Sequence, residues 1–107
     1  CAADHEVLVT FNEKVTTSYG QTVKVVGSIA ALGNWAPASG VTLSAKQYSS
    51  SNPLWSTTIA LPQGTSFKYK YVVVNSDGSV KWENDPDRSY AVGTDCASTA
   101  TLDDTWR

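Results

Sequence analysis

Apolar residues in this chain recur at every second position, and no window of the sequence carries a helical stripe. Val7, Val9 and Phe11 alternate with Leu8 and Thr10, and Val23 and Val25 resume the pattern after Tyr19-Gly20. Trp55, Thr57, Ile59 and Leu61 alternate with Ser56, Thr58 and Ala60. Phe67, Tyr69, Tyr71 and Val73 form one face of the clearest run, with Lys68, Lys70, Val72 and Val74 on the other. Period two places successive side chains on opposite faces of a strand. A last strand is predicted over 98–105. Turn residues punctuate the runs: Gly33-Asn34, Pro53, Pro62-Gln63-Gly64, Asn75-Ser76-Asp77-Gly78 and Asp85-Pro86. Short β-branched and aromatic strands at this spacing predict an all-β chain, an antiparallel sandwich or barrel. With 107 residues, no repeat and no low-complexity tract, positions 1–107 read as a single domain.

Charge narrows the function. The net charge is -2 and there is no basic run, which argues against nucleic-acid binding. No apolar stretch approaches the ~18 residues of a membrane span. Neither an initiator Met nor a signal peptide is present, so the chain reads as a mature segment or a piece of a longer protein. The two cysteines, Cys1 and Cys96, lie near opposite ends with no C-x-x-C spacing. One disulfide between them would stabilise the fold by about 4–5 kcal/mol in the loop-entropy account, and it would imply an oxidising, extracellular compartment. Two separate buried thiols are the alternative.

The four tryptophans carry the functional signal. Trp35, in Leu32-Gly33-Asn34-Trp35-Ala36-Pro37, and Trp82, in Lys81-Trp82-Glu83-Asn84-Asp85-Pro86, both fall among turn residues. A loop indole either folds inward or binds something. Two such loops, with lysines and carboxamides close by, suit a sugar, which offers an apolar C–H face and a rim of hydroxyls. Lys70, between inward-facing Tyr69 and Tyr71, should point outward from a rigid strand; alone it would be a solvated lysine, as would Lys68. Catalysis finds little support. The single histidine, His5, is near the terminus, and no G-x-S-x-G occurs. Glu83, Asp85 and Asp87 could be imagined as a glycosidase pair or a calcium site, but Asp85-Pro86-Asp87 is ordinary turn chemistry and the EF-hand pattern is missing. No cofactor and no metal is expected. A protein-binding adhesion sandwich is the rival from another class.

Val25-Val26-Gly27-Ser28-Ile29, Leu32-Gly33-Asn34-Trp35, Pro53-Leu54-Trp55, Phe67-Lys68-Tyr69-Lys70-Tyr71, Trp82-Glu83-Asn84-Asp85-Pro86-Asp87-Arg88 and a terminal Asp104-Thr105-Trp106-Arg107 occur in this order. Together they resemble the starch-binding domain of fungal glucoamylases, a family 20 carbohydrate-binding module, over the whole chain. The resemblance implies an immunoglobulin-like antiparallel β-sandwich of about eight strands in two sheets, a disulfide matching Cys1–Cys96, and no catalysis. It implies a secreted, monomeric module at the C-terminus of a glucoamylase-like hydrolase, which it would hold on granular starch. Malto-oligosaccharides and β-cyclodextrin would be its soluble ligands. One α-glucan site is carried onto Trp35, Lys70 and Trp82, with Glu83 and Asp87 nearby; a second onto Tyr19 and Tyr48, with Gly20 allowing close approach and Trp55 packing beneath. The chain departs from the family's habit at Asp87, where Asn is common, at Gln21, where Glu is common, and at Lys46-Gln47, where an acidic residue and a lysine are common. Trp106 reads as core.

Overall fold

The computed structural model describes residues 5–46, 48–84 and 87–106. Eight strands form: β1 (Glu6–Lys14), β2 (Thr22–Gly27), β3 (Val41–Thr42), β4 (Leu54–Pro62), β5 (Ser66–Val74), β6 (Val80–Trp82), β7 (Arg88–Ala91) and β8 (Thr99–Thr105). They make two sheets, one ordered β4-β1-β8, the other β3-β2-β5-β6 with β7 also paired to β5. The alternation of apolar residues decides which faces meet. Val7, Val9 and Phe11 of β1, Val23 and Val25 of β2, and Phe67, Tyr69, Tyr71 and Val73 of β5 are all buried in one core. Phe11 meets the ring of Tyr69 edge-on at 5.5 Å between centroids, tying the sheets together. The sandwich, and not the barrel, is the architecture.

Three details depart from the sequence reading. The sandwich is antiparallel except for β1 and β8, which pair in parallel. A parallel pair needs a long crossover, which the body of the chain between them supplies. The last strand starts at Thr99, although the Leu8 amide still donates to the Ser98 carbonyl at 2.9 Å. Two short 3-10 segments, Ala30–Trp35 and Pro37–Ser39, lie against β2; the first is broken by non-helical angles at Leu32, Gly33 and Asn34, and pieces this short leave no helical period in the sequence.

At one end of the sandwich the core contains charge. Glu13 and Glu83 are buried, and Arg88 and Asp104 nearly so. Arg88 donates from Nε and Nη2 to the two oxygens of Glu83, at 3.1 and 2.8 Å, and from Nη1 to Asp104 at 3.2 Å. The Tyr69 and Tyr71 hydroxyls both donate to the second oxygen of Asp104, at 2.9 and 2.8 Å. Burial first, and then the Asp104 charge, raises the pKa of both phenols. Asp104 comes from β8 and the tyrosines from β5, so this network joins the sheets as the apolar core does. Both carboxyl oxygens of Glu13 lie buried without a hydrogen-bond partner. Desolvation, reinforced by the neighbouring Glu83 charge and opposed by Arg88, pushes its pKa up to about 9.

Candidate functional site

The first hollow opens on the outer face of the five-stranded sheet. Trp35, Lys70, Trp82 and Asp87 line about 410 Å³ of it. Each arrives for a local reason. Gly33, Asn34 and Trp35 hold three successive positive φ angles, 78°, 51° and 67°. A Cβ on Gly33 would lie 2.5 Å from the Ser39 carbonyl carbon, so only glycine permits the turn that presents the Trp35 ring. Asn tolerates the left-handed region that Asn34 adopts, whereas the same conformation is costly for the bulky Trp35, a strain typical of positions built for a task. Trp82 ends β6 opposite Val72 and is 39% exposed. The next residue, Glu83, faces inward. It accepts the Tyr71 amide at 2.9 Å as well as the Arg88 fork, so it fixes Trp82 from behind and does not line the hollow. Arg88, which follows Asp87, is the other partner of that buried ion pair.

Lys70 differs from the expected outward lysine. Its side chain is only 11% exposed, and its ammonium lies 3.4 Å from Asp87. The Asp found in place of the commoner Asn therefore has a partner: it neutralises and orients the lysine across the mouth of the hollow. Because Glu83 is committed to Arg88, it cannot act as the free acid of a glycosidase pair. Asp85 and Pro86 lie outside the described residues.

The second hollow, about 430 Å³, is lined by Tyr19, Gly20, Tyr48 and Trp55 together with Thr17, Ser18, Gln21 and Ala45. Tyr19 is fully exposed at the tip of a turn in which Gly20 has φ 92°. Gln21 ties that turn down. Its side-chain oxygen accepts the Ser18 amide at 2.7 Å, and its NH2 donates to Asn75 at 2.8 Å. A glutamate could not make the second bond, which gives Gln21 a physical reason in this chain. Trp55 is buried beneath, donating to the Thr17 hydroxyl at 3.2 Å, and its ring meets Tyr48 edge-on at 6.4 Å. The Tyr48 hydroxyl donates to the Thr17 carbonyl at 3.3 Å and accepts the Thr17 amide at 3.2 Å. The Lys46 amide is held by Ser44, and Gln47 lies outside the described residues.

The structure thus gathers Trp35, Lys70, Trp82 and Asp87 at one place and Tyr19, Gly20, Tyr48 and Trp55 at another, and sets Glu83 behind the first. Sequence reasoning missed Thr17, which clamps both Tyr48 and Trp55, and the supports Arg88, Glu13 and Asp104. Only Glu13 left a signal: it continues the odd-numbered inward series Val7, Val9, Phe11. Trp106, read as core, is only half-buried and packs against the core cluster without belonging to it. Cys1 lies outside the described residues; Cys96 is described, and none of the described residues is a free cysteine.

The profile of the starch binding domain family matches residues 6–102. An AA13 family lytic polysaccharide monooxygenase A of Pyricularia oryzae is 55% identical over 94% of this chain and 27% of its own length. Among solved structures, a glycoside hydrolase family 15 glucoamylase from Hypocrea jecorina superposes with a TM-score of 0.93 at 46% identity, over 100% of this chain and 18% of its own. The family 20 carbohydrate-binding module of a maltotetraose-forming amylase from Pseudomonas saccharophila superposes with a TM-score of 0.70 at 29% identity, over 90% of this chain and the whole of that one. The chain thus spans about a quarter or less of the two full-length enzymes.

Proposed function

The chain belongs to the starch-binding-domain family, and from that premise we propose that its two hollows are separate α-glucan sites. A starch-binding domain is a non-catalytic module, so its task is attachment. In the first site the indoles of Trp35 and Trp82 stack on the apolar faces of neighbouring glucoses, while Lys70 donates to hydroxyls and Asp87 accepts from them. In the second, exposed Tyr19 and half-buried Tyr48 take the sugar, and Trp55 supports Tyr48 from below. The observation that carries this reading is the grouping of Trp35 and Trp82 around one lysine–carboxylate pair on an outer sheet face; Trp82, expected on a loop, comes from the end of β6. Two modest sites on one rigid body raise attachment to a many-chain granule through effective concentration, by up to ~10²-fold.

Isothermal titration with β-cyclodextrin tests both sites together. The unaltered chain should bind two rings, and Trp82→Ala and Tyr19→Ala should each bind one. Loss of the Trp82 anchor should cost about 2 kcal/mol or more at the first site, roughly thirtyfold. Both substitutions fall on exposed rings, so the melting temperature should hardly move. A large drop in melting temperature with unchanged binding would make these rings structural instead.

The parent protein is proposed to be a secreted starch-degrading enzyme. A glucoamylase is one reading, and the 55% identity to the monooxygenase favours that kind of enzyme equally well. An extracellular site agrees with a disulfide between Cys1 and Cys96, which is supported by the absence of a free cysteine among the described residues. Intact mass after alkylation without reductant should show no adduct, and after reduction two; adducts without reductant would remove the bond.

A further inference from the structure

A third hollow, about 550 Å³, lies next to the first and belongs to neither site. It is lined by Ser66, Phe67 and Lys68 of β5, by Ser89, Tyr90 and Ala91 of β7, and by Ser28. These residues are not scattered. Ser66 pairs with Ala91, Phe67 with Tyr90 and Lys68 with Ser89, so the hollow lies over three successive rungs of the β5–β7 ladder. Phe67 and Tyr90 pack on the core, whereas Ser66, Lys68, Ser89 and Ala91 are exposed. The hollow therefore opens on the outer face. Ser28 forms its far wall, donating its amide to the Lys68 carbonyl and accepting the Lys68 amide at 3.0 Å.

Lys70 stands on the same outer face, two residues along β5 from Lys68, and its partner Asp87 lies just ahead of β7, two residues before Ser89. Each two-residue step advances about 6.8 Å, so Lys70 to Ser66 covers about 13 Å of continuous surface. That surface leads out of the tryptophan hollow without crossing a strand. Its chemistry changes along the way, from indoles at one end to hydroxyls and one ammonium at the other. Lys70 is paired with Asp87, whereas Lys68 has no ion-pair partner among the described residues. Such a strip sets hydrogen-bonding groups around a floor that includes Phe67 and half-buried Tyr90 and carries no exposed indole, which suits a sugar chain already held elsewhere and would be weak for a ligand arriving alone.

We propose that this strip is an extension of the first site, receiving the next glucose units of a linear α-glucan whose neighbouring units stack on Trp35 and Trp82. Lys68, Ser89, Ser66 and Ser28 then make the site read chain length as well as sugar type. The proposal rests on the first site's being a glucan site, and the test separates the two claims. Maltotriose and maltoheptaose are titrated into the unaltered chain and into a Lys68→Ala, Ser89→Ala double variant. The quantity read is the affinity ratio of the long to the short sugar. Gains from multiple binding registers, and any reach to the second site, are common to both proteins and cancel between them. Loss of two hydrogen-bonding groups should lower the ratio about fivefold. Both positions are exposed, and an unchanged melting curve certifies the fold; Ser66→Arg, which narrows the strip from its far end, should lower the ratio as well. A ratio equal in all three proteins overturns the extension while leaving the first site standing. Failure of the unaltered chain to bind maltotriose and β-cyclodextrin overturns both.

Discussion

Arg88→Ala should destabilise the fold by about 3–5 kcal/mol, because it leaves buried carboxylates without their counter-charge. Arg88 spends its fork on Glu83 and one N–H on Asp104, and its Nη2 also reaches the Thr105 carbonyl. Its guanidinium carbon lies over the Tyr71 ring, 5.5 Å from the ring centre. Arg88→Lys should recover little, since an ammonium cannot reproduce the two-pronged contact. A Glu83→Gln, Arg88→Met pair should recover part of the loss: the Gln carbonyl can still accept the Tyr71 amide, and only Asp104, still held by the Tyr69 and Tyr71 hydroxyls, is left without its counter-charge. The same change should be felt on the surface. Glu83 follows Trp82 and Arg88 follows Asp87, so the buried pair anchors the residues next to two that line the first hollow. Urea unfolding and β-cyclodextrin titration of Arg88→Ala should therefore both show losses. A loss of stability under 1 kcal/mol, or sugar affinity unchanged in the folded fraction, would break the link between the buried pair and the surface hollow.

That link explains what the sequence could and could not show. The two faces of each strand were legible because burial on a sheet follows period two, and the inward series of β1, β2 and β5 came out as read. The surface aromatics were legible because indoles among Gly, Asn and Pro have few other reasons to be there. Glu83 was harder. It sits beside Trp82 in a polar turn, and nothing local distinguishes a carboxylate that meets sugar from one that meets an arginine across the core. Its inward direction is set by pairing between β5 and β6, a long-range fact. Lys70 was read as pointing out to solvent, whereas its side chain is only 11% exposed, because its ammonium pairs with Asp87, seventeen positions further along the chain. Thr17 left no mark at all, since a threonine between strands looks the same whether or not it clamps two rings.

Glu13 completes the network and should make the stability depend on pH in an unusual direction. Its carboxyl lies on the buried face of β1, close to Glu83, Arg88, Asp104 and Tyr71, and its pKa is raised from 4.5 to about 9, by burial first and the Glu83 charge second. The unfolded chain releases this proton near pH 4.5, whereas the folded chain keeps it until about pH 9. Across that window the folded state binds one proton more than the unfolded state, so stability falls as pH rises. The contribution is complete below the unfolded pKa and is lost as pH climbs through the folded one. A single proton gives a slope of up to ~1.4 kcal/mol per pH unit. Paired carboxylates ordinarily give the opposite slope. Urea unfolding at pH 5, 6, 7 and 8 measures it, and Glu13→Gln, which cannot titrate, should flatten the profile. The neutral amide keeps the shape of the protonated acid, so the variant should gain on the unaltered chain most at the alkaline end. A stability that rises across this range, or a slope that survives in Glu13→Gln, would mean that Glu13 is ionised in the folded protein and that Arg88 serves three carboxylates instead of two.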